Sequence, residues 1–239
     1  MSKQELKKIV RFDTTLLYDP DSYDLQIIGE QDRSYGSIFN DAIPNSVLDF
    51  GGNRGYFAAY AYFRGTNNIA SIEPEPSNIE IYKKNAPECA ILIEGAAAKE
   101  AGEGVLYVSK GINHGTHSIK PKRGRETIPV KFYNFWDLME QYRPEFVKID
   151  IENSEYMLNL DEKEFPDFVK YIAIEYTIIG NVKENIRNKI LSGDIDEEVK
   201  NHIFYKTYKK IKSQFPTVLK DSTLGLTKMN WDAVYCGKR

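Results

Sequence analysis

The chain has 239 residues, 41% of them hydrophobic, which suits one α/β domain with extensions and would be cramped for two. The net charge of −3 gives no reason to expect general nucleic-acid binding, and two cysteines without a Cys-x-x-Cys pair exclude a disulfide scaffold. The start of the chain lacks the apolar core of a signal peptide, and the longest apolar run, residues 56–63, is too short for a membrane span. We therefore expect a cytoplasmic protein.

The pattern of residues 1–43 predicts a flank or lid packed on the core domain. They read as a short charged helix, extended segments at 15–17 and 25–28, and a polar turn at 32–36. The remaining residues, 44–239, are expected to form the main domain.

From residue 46 onward, strand patterns alternate with helical patterns. Strands are predicted at 46–50, 68–73, 90–94, 146–151 and 171–176, with helices at 54–63, 77–85, 135–141 and a short one from 153. Such alternation is typical of a parallel sheet with helices on both faces, as in Rossmann-like α/β folds.

Two regions depart from this rhythm. Residues 104–133 contain two short strand-like pieces, 105–108 and 128–132, around a polar insert, and inserts of this kind usually cover an active site. The C-terminal part predicts helices at 182–192 and 196–213, followed by strands at 224–227 and 231–236.

The most informative motif follows the first core strand. Asp49 precedes a turn in which Gly51, Gly52, Asn53 and Gly55 lead into an aromatic helix start. Glycines allow turn conformations and close approach of a ligand, and free N–H groups at a helix start suit a carboxylate or phosphate. Gly-Gly-x-x-Gly differs from the dinucleotide pattern Gly-x-Gly-x-x-Gly, which disfavours an NAD-linked dehydrogenase. A carboxylate beside the turn suits an amino-acid moiety, such as that of S-adenosylmethionine.

The ends of the next two strands fit the same ligand. Glu73 follows Asp49 by one strand-helix-strand unit and could hold a ribose diol. Glu94 and Ala96 end the third strand, where an adenine edge would lie, and a carboxylate there could accept from the adenine amino group.

At this point the sequence resembles the FkbM-type S-adenosylmethionine-dependent methyltransferases. Four segments carry the resemblance: 49–57, 73–78, the Lys-x-Asp-x-Glu-Asn-x-Glu run at 148–155, and 172–175. Asn153 stands where the family pattern usually has glycine. The resemblance implies a class I methyltransferase fold with an antiparallel C-terminal strand, and methyl transfer to an oxygen of a sugar, polyketide or similar small metabolite.

The fourth core strand carries the candidate chemistry. Lys148, Asp150 and Glu152 share one face of the strand, because side chains alternate, and buried ions need partners. Asp150, near the expected methyl group, is interpreted as orienting the acceptor hydroxyl or accepting its proton. Lys148 either takes part in this site or forms an ion pair with Glu175 that only fixes the sheet.

Histidines of the insert are further candidates. An alcohol loses a proton on methylation, and histidine is suited to accept it near neutral pH. His114 and His117 would lie near the acceptor if the insert folds over the cleft, or else are solvated loop residues. A two-histidine loop is a weak metal signal, and we predict no metal.

A basic run in the insert bears on the partner. Lys120, Lys122, Arg123 and Arg125 form a solvated loop or hold a phosphate of a small-molecule or glycan substrate. Two other functions stay open: ribose 2′-O-methylation of RNA, which the acidic charge disfavours, and a non-catalytic cofactor-binding module. Nucleic-acid and membrane partners are not expected, and the sequence leaves the oligomeric state open.

Overall fold

The computed structural model describes residues 5–109, 117–121, 124–152, 154–177, 182–221 and 230–236. Its strands are β1 Lys7–Arg11, β2 Thr14–Tyr18, β3 Val47–Phe50, β4 Ile69–Glu73, β5 Ala90–Glu94, β6 Ala96–Ala98, β7 Gly102–Val108, β8 Glu126–Asn134, β9 Phe146–Ile149, β10 Tyr171–Thr177, β11 Thr217–Asp221 and β12 Asn230–Cys236. Its helices are α1 Asp24–Asp41, α2 Tyr56–Phe63, α3 Pro76–Asn85, α4 Phe135–Tyr142, α5 Glu184–Ser192, α6 Glu197–Asn201 and α7 Ile203–Gln214, with a 3-10 turn at Glu155–Met157.

A seven-stranded sheet forms the centre of the molecule. Its strand order is β11-β12-β10-β9-β3-β4-β5. The pairs β10–β9, β9–β3, β3–β4 and β4–β5 are parallel, whereas β12 runs antiparallel to both of its neighbours. The predicted class I methyltransferase fold, with its antiparallel C-terminal strand, is therefore confirmed.

Alternating side chains of the central strands build two cores. Leu48, Phe50, Val147 and Ile149 face a core that is closed by α4 and by the helices of residues 184–214. On the other face, Val47 and its neighbours pack against α1, α2 and α3 through apolar residues that include Ile38, Phe39, Phe57 and Tyr82. Helices thus cover both faces of the sheet, and α1 lies on the face to which Asp49 and Lys148 also point.

The N-terminal region differs from the sequence prediction. Residues 7–11 are not a charged helix but strand β1, which pairs with β2 through a two-residue turn. Phe12 and Asp13 at this turn both have positive φ, which matches the twist of a tight hairpin. Only the extended segment at 15–17 is confirmed, as part of β2.

The predictions of an extended segment at 25–28 and of a turn at 32–36 are wrong, since both ranges lie within the 18-residue helix α1. The buried residues Ile28, Gln31, Ile38 and Phe39 recur at helical spacing and point towards the sheet and α2. In the sequence, the short apolar run at 25–28 is more visible than the helical spacing of these four residues. Burial of α1 against α2, which is distant in the chain, decides the conformation.

The later elements agree with the prediction in place and type, with shifts at their ends. The fourth core strand ends at Ile149, and the short helix after it is the 3-10 turn. The predicted helix 196–213 is split at His202, whose extended backbone ends α6 and whose Nδ1 accepts from the Phe204 N–H at the start of α7. The predicted strand 231–236 is confirmed as β12, which pairs with β11. The predicted strand 224–227 lies outside the described residues.

The insert forms a small sheet of its own. Strands β7 and β8 form an antiparallel hairpin, and β6 pairs in parallel with β8. Because β6 follows β5 directly, this sheet is attached to the edge of the main sheet. Within the residues that the structure describes, no helix combines the length and apolar character needed to cross a membrane.

Gly51 is the position where the fold requires glycine most strictly. Its φ is +94°, and a Cβ there would lie 1.8 Å from the carbonyl oxygen of Asp150. We expect Gly51→Ala to lower the free energy of unfolding by more than about 3 kcal/mol in urea titrations, because the alanine Cβ would overlap the Asp150 carbonyl oxygen.

Gly29 in α1 supplies the matched control. A Cβ there meets nothing within 4 Å. Gly29→Ala is expected to raise stability by about 0.5–1 kcal/mol through helix propensity. Equal effects of the two substitutions would contradict the structural role of Gly51.

Candidate active site

A cavity of about 410 Å³ opens at the C-terminal ends of the central parallel strands. In open α/β sheets this edge is where ligands bind. Eight of the twelve candidate residues line the cavity: Gly51, Gly52, Asn53, Glu73, Ala96, His117, Lys148 and Asp150. His114 lies outside the described residues, and Asp49, Gly55 and Glu94 are not part of the lining.

Asp49 and Lys148 form a buried ion pair directly below the cavity. The two residues lie opposite each other on β3 and β9, and the Lys148 Nζ donates to Asp49 Oδ1 at 2.8 Å. The other oxygen, Oδ2, accepts from the Ser71 hydroxyl at 3.0 Å, and Asp49 has no exposed surface. Asp49 therefore holds Lys148, whereas the sequence suggested that it contacts a ligand ammonium.

Lys148 also connects the strand ends to the glycine turn. Its Nζ donates to the Gly51 carbonyl at 3.1 Å and lies 4.0 Å from Asp150 Oδ2. Burial alone would lower the pKa of Lys148, but the nearby charges, led by Asp49, outweigh burial and raise it. Lys148 is thus a fixed cation, and the alternative of a pair with Glu175 is replaced by the pair with Asp49.

The glycine turn takes conformations that few residues tolerate. Gly51, Asn53 and Gly55 have φ of +94°, +47° and +81°. Asn53 lines the cavity, and its buried side-chain oxygen has no hydrogen-bond partner among the described residues. A buried acceptor without a partner is costly, so this oxygen points to a ligand that donates a hydrogen bond.

Glu73 lies at the end of β4, with 5% of its surface exposed. Its Oε2 accepts from the Asn53 N–H at 2.8 Å, and its Oε1 accepts from the Glu75 N–H at 3.0 Å. Burial is the main cause that raises the pKa of Glu73 to about 7, against the opposing effect of these hydrogen bonds. An ionised carboxylate has about four lone-pair sites, so Glu73 keeps capacity for a ligand hydroxyl.

Glu94 and Gly55 lie away from the cavity. Glu94 is exposed and forms a surface ion pair with Lys83 at 2.6 Å. Gly55 begins α2, and a Cβ there would meet the backbone of residues 82 and 86 at 3.3 Å. Gly55 is therefore required by packing. Ala96, which begins β6 just after the third core strand, lines the cavity, whereas Glu94 does not.

Asp150 and Glu175 are carboxylates at the ends of the two strands β9 and β10. Asp150 follows β9 and keeps 32% of its side chain exposed, while Glu175 lies near the end of the neighbouring β10. Both residues line the cavity. A partly exposed carboxylate beside a fixed cation can accept a hydrogen bond or proton from a bound hydroxyl.

The insert forms one wall of the cavity through residues 117–119. Its Ser118 pairs with Tyr107 of β7, and the Ile119 N–H donates to the Ser154 hydroxyl, which joins the insert to the loop after β9. His117 Nδ1 accepts from the Ser109 N–H at 3.0 Å, so in the neutral ring the proton is on Nε2. This geometry favours an anchoring role for His117 over proton acceptance.

The sequence did not point to α1, yet this helix forms the opposite wall. Tyr35 lines the cavity and packs edge-on against Phe57, whose ring also contacts the Lys148 ammonium. At the start of α1, Asp24 forms a buried ion pair with Arg54 of the glycine turn at 2.5 Å. Arg54 in the glycine turn was the available sequence signal for this contact, because a buried guanidinium needs an acidic partner.

The basic run does not reach the cavity where it is described. Lys120 and Arg125 are absent from the lining, and Lys122 and Arg123 lie outside the described residues. Within the described ranges, no three His, Cys, Asp or Glu side chains lie together in a way that could hold a metal ion. The absence of a metal stays a prediction.

Comparison with known families decides the affiliation. The model of the methyltransferase FkbM domain matches residues 49–189, which is more than half of the chain. The chain belongs to the FkbM methyltransferase family. The range matched in this FkbM methyltransferase holds the glycine turn, Glu73, Lys148, Asp150 and Glu175, all of which line the cavity.

No curated protein matches the chain at a significant level. Among solved structures, the Methanococcus jannaschii fibrillarin pre-rRNA processing protein is similar over 100% of this chain and 87% of that chain, with 12% identity and a TM-score of 0.43.

The Asp49–Lys148 pair should dominate the stability of this site in the FkbM methyltransferase. Lys148→Met leaves Asp49 buried without its cation, and we expect a loss of about 3–5 kcal/mol in the free energy of unfolding. The double variant Asp49→Leu/Lys148→Met should regain most of this loss. Lys84→Ala, which removes an exposed pair with Glu80, is the control and should cost less than about 1 kcal/mol. Additive effects in the double variant would refute the coupling.

Glu73 should make stability depend on pH. Its pKa is about 7 in the fold against 4.5 as the ordinary value, so between these values the folded state binds the extra proton. Stability should therefore fall as the pH rises from 4.5 to 7, by up to about 3 kcal/mol relative to Glu73→Gln, and then level off. Urea titrations across this range, with Glu94→Gln as a surface control, measure the difference. A constant difference between wild type and Glu73→Gln would show that burial does not perturb this carboxyl.

Proposed function

We propose that this protein is an S-adenosylmethionine-dependent O-methyltransferase that acts on a hydroxyl of a sugar or small metabolite. One observation carries the proposal: the glycine turn and Glu73 line the same cavity as Lys148 and Asp150. A cofactor end and an acceptor end would therefore share one cavity at the sheet edge. A volume of about 410 Å³ lies in the range of small-molecule sites.

The residues at the first end fit the cofactor. Glu73 accepts from the Asn53 and Glu75 N–H groups and from the Asn78 amide, which leaves capacity for about one ribose hydroxyl. Asn53 Oδ1, which has no hydrogen-bond partner among the described residues, accepts from a donor such as an ammonium. Ala96 and its neighbour Gly95 line the side expected for adenine. The cofactor, when bound, supplies an electrophilic methyl group on a sulfonium.

Asp49 acts indirectly in this proposal. Its carboxylate is enclosed by Lys148 and Ser71, so it fixes the Lys148 ammonium against the Gly51 carbonyl. The turn thereby keeps the shape that presents Asn53 to the cavity. The zwitterionic tail that the sequence assigned to Asp49 is assigned instead to groups that line the cavity.

Asp150 serves the acceptor end. Its carboxylate accepts a hydrogen bond from the acceptor hydroxyl, orients the oxygen and takes its proton as the methyl group is transferred. The Lys148 Nζ lies 4.0 Å from Asp150 Oδ2, so the ammonium is held beside this carboxylate at the same end of the cavity. The walls formed by α1 and the insert limit the access of water to the reacting atoms.

Two variants separate the roles of the two ends. Asp150→Asn should lower the rate of labelled methyl transfer by about 100-fold or more, the usual contribution of a placed base. Its affinity for S-adenosylhomocysteine, measured by calorimetry, should be unchanged. Glu73→Gln should instead weaken the binding of S-adenosylhomocysteine.

Asp137→Asn, on the exposed face of α4, controls for the loss of a carboxylate outside the site. Binding of S-adenosylhomocysteine without methyl transfer to any acceptor would favour a non-catalytic module. No binding of S-adenosylhomocysteine or S-adenosylmethionine to the wild-type protein would refute the proposed function.

A further inference from the structure

One side of helix α1 faces the start of α2. Asp24, Gln31 and Tyr35 lie at i, i+7 and i+11, which places them on one face of the helix. Asp24 accepts from the Tyr56 hydroxyl at 2.8 Å, and the Tyr35 ring packs edge-on against Phe57 with 4.9 Å between the ring centroids. Gln31 lies between these two contacts, so it faces the residues that join the glycine turn to α2.

Gln31 brings a buried acceptor to this place. The residue is 6% exposed and lines the cavity together with Asn53, Tyr56 and Phe57. Its Nε2 donates to the Ile27 carbonyl at 2.8 Å, and because a carbonyl only accepts, this bond fixes which end of the amide is the donor. The other end, Oε1, is buried and has no hydrogen-bond partner among the described residues. Such an acceptor is costly, so Oε1 indicates a ligand that donates a hydrogen bond.

Asn53 brings a second acceptor of the same kind to the cavity. Its Oδ1 is buried and has no partner in the part of the chain that the structure describes, while its backbone N–H donates to Glu73 at 2.8 Å. The next residue, Arg54, donates to Asp24, which fixes the turn against the helix that carries Gln31. One hydroxyl has a single proton to donate, whereas an ammonium has three and can satisfy both amide oxygens.

The start of α2 supplies the complement for a carboxylate. Gly55 precedes the helix and has no side chain to cap it. The Ala59 N–H donates to the Gly55 carbonyl, so the N–H groups of residues 56–58 have no acceptor within the helix. Tyr56 and Phe57 line the cavity, and the positive end of the helix dipole favours an anion there. The two amide oxygens and this helix start therefore suit the two charges of an amino-acid group.

We infer that Gln31 of α1 is a cofactor-binding residue: its Oε1 accepts, together with Asn53 Oδ1, from the ammonium of the cofactor's amino-acid tail, whose carboxylate lies at the start of α2. This inference rests on the proposed function, because it assigns the tail of the same cofactor. The tail is enclosed between α1 and the glycine turn. It needs no contact with Asp49, whose carboxylate Lys148 and Ser71 already occupy.

Two ligands that differ only in the amino group test this contact: S-adenosylhomocysteine and its deaminated analogue, which keeps the carboxylate. Calorimetry on the full chain measures both affinities without turnover. The wild-type protein should bind the deaminated analogue at least about tenfold more weakly, because hydrogen bonds to a charged group are about twice as strong as neutral ones. Equal affinity of the wild-type protein for the two ligands would overturn the inference, since no group would then recognise the ammonium.

Variants of Gln31 assign the loss to α1. Gln31→Met keeps the length of the side chain and removes the acceptor, so it should weaken the binding of S-adenosylhomocysteine about tenfold and leave that of the deaminated analogue within about twofold. Gln31→Leu should give the same pattern, which guards against a packing fault in one variant. Gln141→Met, at an exposed glutamine of α4 outside the described cavity lining, should change neither affinity.

The outcomes separate this inference from the proposed function. An equal loss for both ligands in the Gln31 variants, or no loss for either, would overturn the role of Gln31 and leave the proposed function standing. No binding of S-adenosylhomocysteine by the wild-type protein would instead refute the proposed function itself.

Discussion

The ion pair between Lys148 and Asp49 is the constraint on which the site depends. Both side chains are buried on neighbouring parallel strands, in register, and Ser71 extends the polar row to a third strand. A single charge in this place would cost several kcal/mol, so each residue requires the other. Because the same ammonium donates to the Gly51 carbonyl, the pair ties the position of the glycine turn to β9, the strand that Asp150 follows. The register of the sheet thus sets the spacing between the two ends of the cavity.

A second buried pair attaches the N-terminal helix to this arrangement. Asp24 at the start of α1 accepts from Arg54 and from the Tyr56 hydroxyl, and Arg54 also donates to Asn78 at the start of α3. The glycine turn is therefore held from both sides, by Lys148 within the sheet and by Asp24 above it. Since α1 forms a cavity wall, a change in the turn would be transmitted to that wall through a charged contact that cannot break cheaply.

The sequence predicted the parts of the site that depend on local pattern. Strands β3, β4, β5 and β10 were placed within one residue at each end because short apolar runs are bounded by glycine, asparagine or acidic residues. The role of Asp49 was not predictable, since the ammonium that occupies its carboxylate comes from a residue 99 positions away. The helix α1 was missed for a similar reason: its buried face packs on α2, and its anchoring partner Arg54 is 30 positions from Asp24. Contacts between distant segments decided both, and a single sequence does not display them.

The family match covers the strand ends that line the cavity but not helix α1. Glu73 and Asp150 lie within residues 49–189, which the FkbM domain covers, whereas α1 at Asp24–Asp41 lies before it. Chemistry common to a family requires a common geometry, and the sheet edge with its buried ion pair supplies it. Acceptor choice differs between enzymes of one fold and is carried by the segments that surround the fixed chemistry. Helix α1 lies outside the shared range and is anchored by the ion pair of Asp24 with Arg54, so the residues on its cavity-facing side can change without disturbing Lys148 and Asp49.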